Sequence, residues 1–190
     1  MTLIGRLLTN RRAGEARMAW NLPGLSGPQT LTLDSRDFAD GAALPRQHAA
    51  RAAGGSDTSP HLAWTAPPPG AAELLLVVED IDVPLPRPVA HCVALLDPAL
   101  RHLDPGALDA HRPGAGVRLL RSTIGRGYHG PAPIKGHGPH AYVFQLFALA
   151  APVAGAPGAA PPDWPRPRAL LAAVTGPVLA RGRLTGTYER

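Results

Sequence analysis

ELLLVVED, residues 73–80, sets five apolar side chains in succession, Leu74 to Val78. A run of that length without alternation is the pattern of a strand covered on both faces. HCVALL (91–96) repeats it, and VRLLRSTI (117–124) is a weaker third. AYVFQLFAL (141–149) is aromatic and β-branched, with large apolar groups on both alternating faces, and is expected to be a central strand. TLTL (30–33) alternates like a half-buried strand, and RLTGTY (183–188) is expected to be a last short one. Residues 44–64, with two Gly, two Pro and several small polar residues, are expected to form a long loop.

Helices are few. Leu3, Ile4, Leu7 and Leu8 recur at helical spacing, which predicts an amphipathic helix over residues 3–12, ending near Gly14. A stripe this short needs a partner, either its own domain or a second subunit; a membrane-surface helix is the sharper alternative. Residues 151–168 are too dense in proline to hold a ladder of backbone hydrogen bonds and are expected to be a solvated connection. Arg168 to Val174 reads as a short helix stopped by Gly176 and Pro177. The expected fold is an all-β antiparallel β-sandwich with short peripheral helices, arranged as an N-terminal helical arm (residues 1–20) and a single domain (residues 21–190).

The formal net charge is +5, yet all basic residues but Lys135 are arginines, and they are scattered rather than clustered. That dispersion argues against nucleic acid as a partner. Cys92 is the only cysteine, so an internal disulfide and a cysteine-based metal cage are excluded. It reads as a buried core thiol, pointing to the strand face opposite that of His91. The opening stretch has too short an apolar run for a signal peptide or a membrane span, so a cytoplasmic location is expected.

No nucleophile elbow, His-Glu-x-x-His or phosphate-cradling glycine loop occurs in the chain. What remains is a set of acids and histidines at strand ends: Asp80 and Asp82 after LLLVV, His91 opening HCVALL, and His140 before AYVFQLFAL. If those strands are neighbours, their ends gather at one edge. The bland alternative is two satisfied core histidines, with the aspartates capping the turn before Pro84. Two His and an Asp are also a zinc-type set, but no short-spaced ligand pair supports it, and neither a metal nor a cofactor is expected. His48, His61, His102 and His111 fall in loops, where exposure is the default, and Trp20 and Trp64 read as packing residues.

TSPHLAW (58–64), VVEDIDVPLPRPVAH (77–91) and GYHGPAPIKGHGPHAYVFQLFAL (127–149), with FADGAALP (38–45) and GPVLARGRLTGTYER (176–190), resemble the phosphatidylethanolamine-binding protein family, closest to its bacterial Raf-kinase-inhibitor-like branch. The resemblance implies a β-sandwich with a small pocket for phosphate or a phospholipid-type head group. It implies Asp80 and Asp82 as the pocket acids, His91 and His140 as its histidines, and Tyr128, Gly130, Pro131 and Pro133 as its wall. His137 lies in the family's Gly-His-Gly-Pro-His turn and is read as turn chemistry. The chain departs from the pattern at Ile81 (usually Pro), Ala141 (usually Arg), His61 (Pro), Pro177 (His) and Gln47-His48 (an aromatic). Ala141, next to His140, is expected to face away from the pocket.

Three functions follow from the resemblance. The first is non-enzymatic binding of a small anion. The second is a regulatory protein that inhibits a kinase or a protease. The third is a hydrolase using Asp80 with His91 or His140, ranked last because no nucleophile or oxyanion hole is evident. No catalytic residue is assigned, and relatives in the branch suggest a homodimer.

Overall fold

The structure, a computed structural model, describes residues 3–153 and 166–190. Its strands are β1 (Leu33–Asp34), β2 (Leu62–Trp64), β3 (Glu73–Asp80), β4 (Val89–Leu96), β5 (His102–Leu103), β6 (Val117–Leu119), β7 (His140–Leu149) and β8 (Val178–Tyr188). The helices are α1 (Leu3–Leu8) and α2 (Pro167–Ala172), with single 3-10 turns between residues 15 and 53. Strands β1-β2-β5 form a small sheet and β6-β4-β3-β7-β8 a large one, and neighbouring strands are antiparallel throughout.

The long apolar runs are explained by a large sheet covered on both faces. Leu74, Leu76, Val78, Phe144 and Leu146 meet Leu33, Leu62, Trp64 and Leu103 of the small sheet. The alternate residues Leu75, Val77, Val143 and Phe147 meet Met18, Trp20 and Leu25 from the N-terminal turns, and Leu170 and Leu171 of α2. The period of two sends each strand's apolar groups into two separate cores. The antiparallel sandwich with few short helices is therefore as expected.

Details differ. The first helix stops at Leu8, not near residue 12. Strand β1 begins at Leu33, and β6 ends at Leu119. The last strand has 11 residues, far longer than RLTGTY, because Val178 to Arg181 already pair with β7. The expected long loop contains β2, since Leu62 to Trp64 find partners on both sides. Of the proline-rich connection, residues 154–165 lie outside the described residues, as do the side chains of Leu3 and Ile4.

A buried polar network fixes the N-terminal turns to the large sheet. Glu79, fully buried, accepts the Ala19 amide (2.6 Å) and the Gln145 side-chain amide (2.9 Å), and pairs with Arg168 of α2. Gln145 in turn accepts the Trp20 amide at 2.7 Å, and Arg181 stacks over the Trp20 ring at 4.0 Å. No helix among the described residues is long and apolar enough to cross a membrane.

Candidate functional site

Strand β3 ends at Asp80 while β4 and β7 begin at Val89 and His140, so antiparallel pairing brings the three termini to one edge. Asp80 lies between Val89 and Tyr142. A cavity of about 490 Å3 opens there. Asp80, His91, Gly130, Pro133 and His140 line it, joined by His129 and Tyr142.

His91 reaches this cavity through a β-bulge. Cys92 pairs with Val78 but Ala90 with Glu79, which leaves His91 as an extra residue on β4. Ala90 packs in the α2-side core, Cys92 in the core between the sheets, and the His91 ring stands edge-on to Tyr142 at 5.1 Å. Strict alternation would have aimed His91 at the α2 side, and the bulge turns it into the cavity. Cys92 is a buried thiol as expected, and its burial pushes it up to about 12, but the bulge leaves it on the same side of the sheet as His91 and not on the opposite one.

His140 is 1% exposed, and both of its ring nitrogens are engaged by protein groups. Its Nδ1 lies 2.8 Å from Asp80 Oδ2 and its Nε2 lies 2.7 Å from Nδ1 of the fully buried His137. His137 Nε2 faces the Leu8 carbonyl at 2.8 Å. A carbonyl only accepts, so His137 Nε2 carries a proton. The three side chains form one hydrogen-bonded relay from the Leu8 carbonyl to Asp80. His137 is thus a turn residue and the far end of this relay.

The remaining polar atoms are the free ones. His91 donates Nδ1–H to the His129 carbonyl at 2.7 Å, leaving Nε2 unused. Burial, which outweighs that hydrogen bond and the nearby Asp80 charge, holds the ring below its ordinary 6.5. His129 Nε2 is buried without a hydrogen-bond partner among the described residues, while the buried Tyr142 hydroxyl makes no well-aligned hydrogen bond yet stands close enough to the Asp80 carboxylate and the Ala132 backbone to feel both. Burial and the Asp80 carboxylate push the Tyr142 phenol up, so it stays a donor.

Other expected residues support the cavity from outside. Asp82 accepts the Ala141 amide at 2.7 Å and pairs with Arg12 of the N-terminal arm at 2.8 Å. Tyr128 donates its hydroxyl to the His48 carbonyl, and the Pro131 carbonyl accepts the Ala50 amide. Gly130 is required: a Cβ there would sit 2.3 Å from the His48 carbonyl oxygen, and its amide donates to Asp57. Ala141 packs with the α2-side core, on the face away from the cavity. His48 and His61, expected at the surface, are buried with their Nδ1 atoms engaged: His48 Nδ1 hydrogen bonds to the Thr58 carbonyl and His61 Nδ1 accepts the Arg36 amide. His102 and His111 are exposed. Trp20 and Trp64 are buried in the two cores. Among the described residues no cluster of three metal-ligating side chains occurs.

Sequence reasoning missed Tyr142 and His129. Tyr142 is two residues beyond His140 on one strand and so shares its face.

The profile of the phosphatidylethanolamine-binding protein family matches residues 34–189. A UPF0098 protein of Mycobacterium bovis is 35% identical over 179 residues, covering 92% of this chain and 78% of that protein. Among solved structures, Escherichia coli YbcL, described as a member of the mammalian PEBP family, superposes with a TM-score of 0.72 at 25% identity, over 84% of this chain and 98% of that one. The Chlamydia trachomatis phosphatidylethanolamine-binding protein homologue CT736 gives 0.66 at 26% identity, over 84% and 97%.

Proposed function

Because the chain belongs to the phosphatidylethanolamine-binding protein family, we propose that its cavity binds a small phosphate-type anion, free or as a phospholipid-type head group, without turning it over. The observation that carries this reading is His91, which the β4 bulge turns into the cavity with its Nε2 unused. In the neutral ring it accepts, so it takes the O–H of a hydrogen phosphate or an N–H of an ammonium head group. Once protonated, it donates to the anion directly.

Calorimetric titration with inorganic phosphate and with phosphoethanolamine tests this reading. His91→Gln should weaken binding tenfold or more, since an amide cannot carry the proton that the ring offers an anion. Unchanged affinity in that variant removes the basis of the reading.

One observation favours the regulatory alternative. Leu85 and Ile124, at the rim of the cavity, are 52% and 51% exposed and give it an apolar lip suited to a protein surface. That reading expects capture of one specific protein that survives saturating phosphate; capture abolished by phosphate counts against it. The hydrolase reading has the least support, since no Ser, Thr or Cys is among the described residues lining the cavity.

A further inference from the structure

Two proline–arginine stretches far apart in the chain, Pro86-Arg87-Pro88 and Arg166-Pro167-Arg168, face each other across a second cleft of about 650 Å3. The cleft shares the Leu85 wall with the Asp80–His140 cavity but none of that cavity's polar residues. Its described lining contributes four guanidinium groups, from Arg87, Arg121, Arg166 and Arg168, and no acid.

Only Arg168 is engaged. Its Nη2 pairs with Glu79 and reaches the Pro88 carbonyl at 3.3 Å, which fixes the side chain between α2 and the loop before β4. Its Nη1 is buried and has no hydrogen-bond partner among the described residues. Arg87, Arg121 and Arg166 are exposed, and no described residue makes a hydrogen bond, ion pair or ring contact with their guanidinium groups. Glu79 offsets the charge of Arg168 alone. With no acid among the described lining residues, three cations around one concavity repel each other unless an anion sits among them. A stranded guanidinium nitrogen beside them is a donor awaiting an acceptor.

We propose that this cleft is a second binding site, independent of the first, for a small phosphorylated molecule of the pyrophosphate or bisphosphate class. The charge calls for two or more negative charges on the ligand. Tetrahedral phosphoryl groups present oxygens in several directions, so arginines on separate segments can each form a fork contact; a planar carboxylate serves one such fork. The volume falls within the range of small-molecule sites, about 300–1,000 Å3. The walls are preformed: Pro86, Pro88 and Pro167 have their φ fixed by their rings, so little ordering is needed on binding.

The test is calorimetric titration of pyrophosphate into the full chain and three variants. The double variant His91→Ala, Tyr142→Phe disables the first cavity and should retain one pyrophosphate site. Arg87→Gln with Arg121→Gln should lose that site's affinity tenfold or more. These side chains are exposed and unpaired, so the melting temperature should stay unchanged. Arg87→Lys with Arg121→Lys keeps the charge and loses the fork, and should recover only part of the loss. Equal affinity in the glutamine variant overturns the proposal. So does full recovery with lysine together with equal competition by chloride, which would make the cleft a diffuse positive potential. Binding of a phosphorylated peptide without binding of pyrophosphate would overturn the small-molecule class. Failure of phosphate to bind the first cavity leaves these outcomes untouched, because the two sets of substitutions share no residue.

Discussion

His91 has one nitrogen committed to a carbonyl and one open to the cavity, and its buried ring titrates below 6.5. An anion beside it favours the protonated ring, so its pKa rises on binding. Below the free-state value the ring is protonated with or without ligand, and affinity is flat. Between the free and bound values, binding takes up a proton, and affinity falls up to tenfold for each unit of rising pH. Calorimetry in two buffers of different ionisation heat should show this uptake, and His91→Gln should abolish it. Stability runs the other way. The unfolded ring binds protons more readily than the folded one, so this group's contribution is intact above about 6.5 and is lost as pH falls toward the folded value. Asp80, His91 and His140 were legible because acids and histidines at the ends of apolar runs stand out. Tyr142 and His129 were not, because an aromatic in a strand reads as core and a histidine beside a glycine as turn. Whether a polar atom lacks a partner depends on contacts that no spacing encodes.

At the scale of elements, two features escape periodicity. The bulge that aims His91 into the cavity leaves the sequence HCVALL looking like an ordinary run, since an extra residue alters register without altering composition. The eleven-residue β8 begins before RLTGTY, at Val178 just past Gly176 and Pro177, because its early residues gain their place by pairing with β7. The apolar runs themselves were legible, since a sheet buried on both faces must be apolar on both. The Glu79 network carries a prediction here. Removing one partner strands the other in the interior, and breaking such a pair costs about 3–5 kcal/mol when both charges are buried. Arg168 is 25% exposed at its side chain and recovers some hydration, so Glu79→Gln should cost less, about 2–3 kcal/mol in urea unfolding. A loss under about 0.5 kcal/mol, the size of ordinary surface substitutions, would mean the network is not coupled to folding. The substitution Ala141→Arg acts on the opposite face from His140. Arg12 already occupies Asp82, so the new side chain should compete with the arm and lower stability while phosphate affinity holds. A tenfold gain in affinity would contradict that face assignment.

The whole molecule joins its N-terminal arm to the cavity from behind. The Leu8 carbonyl closes the histidine relay, Arg12 reaches Asp82 and the Pro139 carbonyl, and the Ala13 and Gly14 amides donate to Val83 and Ile81. Gly5 fits where a Cβ would lie 2.4 Å from the Lys135 carbonyl oxygen, against the turn that carries His137. Yet Leu7 of α1 is 75% exposed, so the expected burial of the helical stripe fails at this residue within one chain. A six-residue helix is marginal alone, and its apolar side is what a second copy would cover. Two variants separate these roles. Deleting residues 1–14 removes four hydrogen bonds and an ion pair, at about 0.5–1.5 kcal/mol per hydrogen bond before the entropy released by the freed arm. A net loss of about 2–3 kcal/mol lowers the melting temperature by about 5–10 °C for a chain of this size. The same deletion takes the acceptor from His137 Nε2 and loosens the relay that holds His140 against Asp80, so phosphate affinity should fall. Leu7→Glu leaves every one of those contacts in place. It should keep the melting temperature and the affinity, and convert a two-chain particle to one chain in light scattering. If Leu7→Glu leaves the mass unchanged, α1 is not the dimer contact. If the deletion leaves affinity unchanged, the arm fixes the fold without shaping the cavity.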